Sequence, residues 1–292
     1  MCSGRSPPGS RSARRLGSAR PSPRARRPPW RSRSRIDARR AGCRLSARSA
    51  IVDRVVGSGP ACERPRLSVV VPVYNEVRTL PRVLERLAAL PFVDEVVVVD
   101  DGSTDGTPDF LRAYRPPPSR PAVTAMFLPR NAGKGAALRA GFARARGRML
   151  AVQDADLEID PASIGPLADL VEAGETDLAF GSRFLRQAPR LAPAAFLANK
   201  ILTLLTSLAV NRRITDMETA CKVFRREVID GLRLRSDRFG FEPEITIKAA
   251  RRGWRLRERP VAYTPRRAGK KIGWKDGLAA LWHILVFRFG PS

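Results

Sequence analysis

Histidine is almost missing from this sequence: His283 is the single one among 292 residues. A site built on two imidazoles is therefore excluded. Cysteine is nearly as scarce. Cys2, Cys43, Cys62 and Cys221 lie far apart and none stands in a C-x-x-C, which argues against a disulfide scaffold and a Cys-rich zinc site. No window holds eighteen uninterrupted apolar residues, so no membrane span is expected. No apolar h-region follows the early arginines, which disfavours a secretory signal. What is present is ample: hydrophobic residues make up 43% of the chain, enough for one sizeable core or two small ones.

Acid is short in one region above all. Residues 1–66 hold eighteen arginines, no lysine and only Asp37, Asp53 and Glu63. More than half of the net charge of +26 therefore sits in under a quarter of the chain. This stretch is Arg, Ser, Pro and Gly with hardly an aromatic, so it buries too little surface to offset its ordering entropy and reads as a disordered tail. Three readings of it stand. It could meet nucleic acid or anionic lipid through non-specific phosphate contacts, serve as an organelle transit peptide, or reflect a start assigned too far upstream. Composition favours the last.

From Leu67 to residue 292 the chain alternates strands and helices. Leu67–Tyr74 and Val93–Asp100 are near-continuous β-branched runs, the mark of strands buried on both faces. Between them, Arg78–Leu90 carries apolar residues at helical spacing. Val123–Leu128, a helix from about Gly133 to Arg146, Met149–Gln153 and a short Asp177–Gly181 strand follow. This order implies an α/β fold with a doubly wound, mainly parallel sheet, in which ligands bind beyond the carboxyl ends of the strands.

Those ends carry acids: Glu76 after the first strand, Asp100, Asp101 and Asp105 after the second, Asp154, Asp156, Glu158 and Asp160 after the fourth. Helix capping explains Asp105 or Thr107 and competes for Ser103. It explains Asp154 and Asp156 poorly. Two carboxylates flanking Ala155 repel unless a cation sits among them, and an Asp-x-Asp at a strand end presents oxygens to Mg²⁺ or Mn²⁺ holding a diphosphate. An EF-hand fails from Asp101, where the twelfth residue is Arg112, and from Asp154, where the sixth is Ile159. Gly133-Lys134 lacks the rest of a Walker A loop, and no G-x-G-x-x-G follows the first strand.

The runs V-P-V-Y-N-E (Val71–Glu76), V-V-D-D-G-S-T-D-G-T (Val98–Thr107), N-A-G-K-G (Asn131–Gly135), D-A-D-L-E (Asp154–Glu158) and G-S-R-F (Gly181–Phe184) together resemble the family 2 glycosyltransferases, which have the GT-A fold. T-D-M-E-T-A-C-K-V-F-R-R-E-V (Thr215–Val228), R-F-G-F-E-P-E-I-T (Arg238–Thr246) and G-K-K-I-G-W-K-D-G (Gly269–Gly277) resemble the dolichyl- and polyprenyl-phosphate hexosyltransferase branch. The likeness covers Leu67 to Phe289. It implies that Pro72, Tyr74, Glu76, Val99 and Asp101 line a nucleotide pocket, and that Asp154 and Asp156 hold the metal and diphosphate, with Ala155, Glu158 and Lys134 close by. It implies that Arg183 meets an acceptor phosphate or the sugar, and that Asp216 and Glu218 sit near the sugar. Arg267, Lys270 and Lys271 would close over the diphosphate. Plainer readings stand beside these: a core role for Tyr74, a solvated Arg183, a solvated basic loop. Three features depart from the pattern: Ala220 where an aromatic is common, a short loop at Tyr263–Lys270, and the Arg-rich tail.

The implied reaction is an inverting, metal-dependent transfer of a hexose from a nucleotide sugar, GDP-mannose or UDP-glucose, to a polyprenyl phosphate. A hydroxyl acceptor needs a general base. A phosphomonoester has its second pKa near ~6, so such an acceptor is already an anion; the missing strand-end histidine fits, although Asp216 or Glu218 could serve as a base. A lipid acceptor requires a membrane surface. Pro193–Val210 and the C-terminal amphipathic segment Trp274–Phe289 suit helices lying in the lipid interface, with core helices as the alternative. Attachment is expected to be peripheral, on the cytoplasmic face. His283 reads as a packing residue. The rivals are the same donor chemistry with a glycan or small-molecule hydroxyl as acceptor, a nucleic-acid-binding basic protein, which the strand-end acids disfavour, and a nucleotidyltransferase.

Overall fold

The computed structural model describes residues 52–56, 66–118, 121–185, 191–266 and 274–289. Eight strands form one sheet: β1 (Val52–Val56), β2 (Leu67–Val73), β3 (Glu95–Asp100), β4 (Ala122–Phe127), β5 (Met149–Val152), β6 (Leu178–Ser182), β7 (Lys222–Arg225) and β8 (Leu256–Pro260). Their spatial order is β1-β4-β3-β2-β5-β7-β6-β8. β2 pairs in parallel with β3 and β5, β3 with β4, and β6 with β8. β1 and β7 run antiparallel to their neighbours. One strand, β1, lies in the stretch read from composition as tail: a short valine run is lost when averaged with its arginines. β7 and β8 also escape the sequence reading. β7 is only four residues long, and β8 (LRERP) carries three charged residues at the sheet edge.

Helices cover both faces. Every residue of β2 and β3 is buried, and alternate side chains go to opposite sides, as the period of two requires. Val69, Val71 and Val73 pack toward α1 (Leu80–Ala88), α2 (Thr107–Ala113) and α4 (Ile164–Glu172). Val70 packs with Val97 and Val99 under α3 (Lys134–Arg144), α6 (Arg226–Asp230) and α7 (Phe241–Arg251). The α1 spacing Leu80, Val83, Leu84, Leu87 lays one fully buried stripe on the sheet. Gly141 lets α3 come close: a β-carbon there would run into Val70.

A third cluster sits beside the sheet. Leu202 of α5 (Pro193–Val210), Ile214, Met217, Ile247 of α7, and Ala280 and Ile284 of α8 (Trp274–Phe289) pack together. α8 is apolar on its packed and its outer side alike, since Trp282 and Phe289 are 66% and 80% exposed. His283 stacks on Phe287 with the rings 5.4 Å apart, and any side chain at Gly240 would collide with it. It is a packing residue, as the sequence suggests.

Candidate active site

The carboxyl ends of β2, β3 and β5 open onto a cavity of about 420 Å³. After β2 the chain turns through Asn75, which takes a left-handed φ of 51°. Its side-chain oxygen accepts from the N–H groups of Thr104 (2.7 Å) and Asp105 (3.3 Å). Its own N–H donates to Ser103 Oγ at 2.8 Å. The V-Y-N-E and D-D-G-S-T-D motifs are thus stitched into one rim. Gly102, at φ 66°, is needed in that rim because a β-carbon would sit 2.5 Å from the Arg130 carbonyl carbon.

Asp101 is 3% exposed and ties a third motif to the rim. It accepts from the N–H groups of Ala132 at 2.7 Å and Gly133 at 2.8 Å. Burial raises its pKa, and these bonds pull against that rise. The same loop delivers Lys134 at the head of α3. Asp105 accepts from the N–H of Thr107 at 2.9 Å, the capping role that the sequence allowed it. Ser103 instead supports the turn at Asn75.

Beyond β5, Asp154 and Asp156 face two different cations. Lys134 Nζ lies 2.9 Å from Asp154 Oδ1. Arg266 reaches Glu76 Oε1 at 2.7 Å and Asp156 Oδ2 at 3.3 Å, and its backbone N–H donates to Glu158. Burial, then the charge of Asp154, pushes the Asp156 carboxyl up to about 6. Burial works against the Lys134 ammonium, but Asp154 and Glu242 outweigh it and raise its pKa. Between the acids Leu157 takes a left-handed φ of 60°, a strained conformation that clusters at functional sites. Tyr263 donates to Glu158 Oε2 at 2.8 Å and so holds the D-A-D-L-E turn from the far side.

The opposite wall is made of buried ion pairs. Arg183, just past β6, forms a fork on Asp216: Nε to Oδ2 and Nη2 to Oδ1, both 2.7 Å. Its Nη2 also meets Asn199 Oδ1 of α5 at 3.2 Å, and its guanidinium lies over Tyr263. Arg183 is therefore no solvated surface arginine. Lys222 of β7 is fully buried and donates to the carbonyls of Met217 and Thr219 and to Glu242 Oε2 of α7. Burial, then the charge of Glu242, pushes the Glu218 carboxyl up to about 7.

Eleven of the residues expected at the site line this cavity: Pro72, Tyr74, Glu76, Asp101, Lys134, Asp154, Ala155, Asp156, Glu158, Arg183 and Glu218. Two do not. Val99 points into the core beneath α3, because alternation along β3 sends its side chain to the helix-covered face. Asp216 is fully buried behind Arg183. Arg267, Lys270 and Lys271 lie outside the described residues. Sequence reading missed Glu242, Lys222, Asn199 and Tyr263 as members of the site and its supports. Only F-E-P-E, a run of carboxylates opening a helix, signalled the first.

The donor set suits a hard divalent ion. Asp154 and Asp156 offer carboxylate oxygens in a partly desolvated place where their mutual repulsion asks for cations. Among the described residues no group of three or more His, Cys, Asp or Glu stands ready to enclose an ion. Magnesium is commonly held by one or two carboxylates together with substrate phosphates.

The sequence matches Glycosyl transferase family 2 across residues 68–233, more than half of the chain, and the protein belongs to that family. It is 32% identical over 203 residues to a dodecaprenyl-phosphate galacturonate synthase of Rhizobium johnstonii, covering 66% of this chain and 57% of that protein. It is 33% identical over 191 residues to an undecaprenyl-phosphate 4-deoxy-4-formamido-L-arabinose transferase of Serratia proteamaculans, covering 64% and 57%. The chain thus spans little more than half the length of these relatives. Glucosyl-3-phosphoglycerate synthase of Mycobacterium tuberculosis bound to UDP shares the fold, with a TM-score of 0.61 at 20% identity over 81% of this chain and 88% of that one. A second structure of that enzyme, with Mn²⁺, UDP-glucose and phosphoglyceric acid, also has a TM-score of 0.61 at 20% identity, over 78% and 81%. The expected GT-A fold is the one observed.

Proposed function

We propose that this protein transfers a hexose from a nucleotide sugar to a polyprenyl phosphate at a membrane surface, with inversion at C1 and with Mg²⁺ or Mn²⁺. The two relatives named above act, by their names, on dodecaprenyl and undecaprenyl phosphate. The observation that carries the reading is where the cavity leads. Leu191, Ala195 and Asn199 line it beside Arg183, and Ala195 and Asn199 belong to α5. Of the ten exposed large hydrophobic residues described, nine lie on α5 and α8. A phosphate at Arg183 would thus have its apolar chain running toward α5 and α8, which carry most of the exposed large apolar side chains among the described residues.

α5 has the length and composition to cross a membrane. An interfacial position is better supported. Leu202, Thr203 and Thr206 are buried against the body, and Asn199 and Lys200 interrupt the apolar run halfway along it. An interfacial helix buries one face and keeps its polar groups near the headgroups. Attachment on the cytoplasmic face belongs to the same proposal.

In this reading Tyr74 and Asp101 flank the nucleoside, and Asp154 and Asp156 hold the ion. The ion would neutralise charge on the departing diphosphate. Lys134 and Arg266 supply further positive charge where that diphosphate leaves. Arg183 uses Nε and Nη2 on Asp216 and Asn199, which leaves its Nη1 for the acceptor phosphate. That phosphate is an anion near neutral pH and attacks C1 through its own oxygen, so positioning rather than proton removal is what the chain provides. The test is transfer of radiolabel from GDP-mannose or UDP-glucose into organic-extractable lipid, with Mg²⁺, polyprenyl phosphate and detergent. Donor consumption without labelled lipid would remove the acceptor. No binding or use of either donor would remove the donor class.

A further inference from the structure

Glu242 is 2% exposed, yet it lines the cavity. Its Oε2 is fixed by Lys222, whose ammonium is itself locked by two carbonyls. Its Oε1 takes no hydrogen bond and meets only the Lys134 ammonium, in a long contact of 3.4 Å that leaves its acceptor capacity unfilled. Leaving a buried acceptor unpaired costs about 1–3 kcal/mol, and such an oxygen persists in a folded protein where something else satisfies it. Glu218, which also lines the cavity, has an Oε1 that is sealed from solvent and takes no hydrogen bond.

The neighbours narrow what that something is. Lys134 Nζ stands between Asp154, at 2.9 Å, and Glu242 Oε1, at 3.4 Å. An ion bridging the two carboxylates would have to displace this ammonium, so a metal is a poor candidate. A phosphate or carboxylate of the ligand presents only acceptors and is repelled. A hydroxyl remains, and Lys134, which touches both Asp154 and Glu242, sets Glu242 one side chain away from the place of the diphosphate. With the diphosphate at Asp154 and Asp156, that is where the sugar hangs.

We propose that Glu242, held in place by Lys222, accepts a hydrogen bond from a hydroxyl of the transferred sugar and thereby selects the donor. The assignment rests on the nucleotide-sugar reading above. Lys222 is a positioning residue in it: without the buried ammonium, Glu242 would have no fixed direction.

Calorimetric titration of the full chain in Mg²⁺ tests this, with UDP, UDP-glucose, GDP and GDP-mannose as probes. For the nucleotide that binds, Glu242→Gln should leave the diphosphate affinity within twofold and weaken the nucleotide sugar about tenfold, one hydrogen bond's worth. Glu242→Asp should recover part of that loss. Equal affinities for the sugar in wild type and variant overturn the proposal and leave the family reading intact. A parallel loss for diphosphate and sugar overturns it too, since Glu242 then serves only the fold or Lys134. The monodeoxy analogues of the bound sugar, titrated on the unaltered protein, keep the test independent of variant folding. One of them must bind about tenfold more weakly, and uniform binding of all of them rejects the hydroxyl contact. If wild type binds none of the four nucleotides, the donor reading falls and this proposal with it.

Discussion

The wall formed by the ends of β2, β3 and β5 sets acids next to one another, whereas the wall formed by β6, β7 and α7 gives every acid but Glu218 its own buried cation. On the first, Asp154 and Asp156 are two residues apart and borrow Lys134 and Arg266 from other segments. On the second, Asp216 has Arg183, Glu242 has Lys222, and Glu244 has Lys248. A pair whose partners are both buried and mutually bonded keeps a structure in register, because removing one partner strands the other. A carboxylate whose pKa is raised by burial and a like charge, as that of Asp156 is, does the reverse: it costs stability where it stands. In the proposed reaction the first wall would meet the changing charge, and the second would be the frame that holds it.

The sharpest way to break this contrast is to cut one acid from each wall. Asp156→Ala should lower transfer about 10²–10³-fold, the usual cost of deleting one charge-stabilising group, and abolish the metal dependence of nucleotide binding. Its melting temperature should not fall, because the substitution relieves repulsion from Asp154. Unchanged turnover would remove the metal assignment, and a large loss of stability would remove the contrast.

Asp216→Ala should do the opposite first. Asp216 is fully buried, and Arg183 would be left with its fork empty in a low-dielectric place. Breaking a buried pair from one side costs about 3–5 kcal/mol, to be read from urea unfolding. A loss below about 1 kcal/mol would mean that Arg183 finds water or another partner, and that the second wall is no stiffer than the first.

The difference between the walls also explains how much could be read in advance. The rim at Glu76, Asp101, Asp154 and Asp156 was legible because its residues come in short runs, V-P-V-Y-N-E, D-D-G-S-T-D and D-A-D-L-E, each directly after a valine-rich strand. Local order predicts local placement there. Glu242 and Lys222 are twenty residues apart on a helix and a four-residue strand, and Arg183 and Asp216 are thirty-three apart. Nothing in the pattern of either segment announces a partner so far along the chain. Val99 was misplaced for the converse reason: motif membership said cavity, but strand alternation sends its side chain to the core. β7 was missed because four residues show too little periodicity.

The second wall alone continues, through Asn199 on α5, into the exposed apolar face. Changing Trp282 and Leu285 together to glutamate should cut sedimentation with anionic liposomes about tenfold, since each buried apolar side chain is worth about 1.5–3 kcal/mol and these two would give up part of that. Nucleotide binding at the first wall should be unaffected. Undiminished sedimentation would detach α8 from the membrane role and leave α5 to carry it.

The smallest expected effect comes from the one acid of the second wall that has no cation to itself. Burial, then Glu242, pushes the Glu218 carboxyl up to about 7 from an ordinary 4.5. Because the folded-state pKa is raised, the unfolded chain gives up this proton first as pH climbs. Glu218 therefore leaves stability untouched below about pH 4.5 and subtracts from it progressively until about pH 7. Glu218→Gln should then be more stable than wild type at pH 8, by about 1–2 kcal/mol after allowance for its partial exposure to the cavity. The two should converge below pH 4.5. Parallel unfolding curves at all pH values would mean that Glu218 has found a cation after all, and that the second wall pairs every acid it holds.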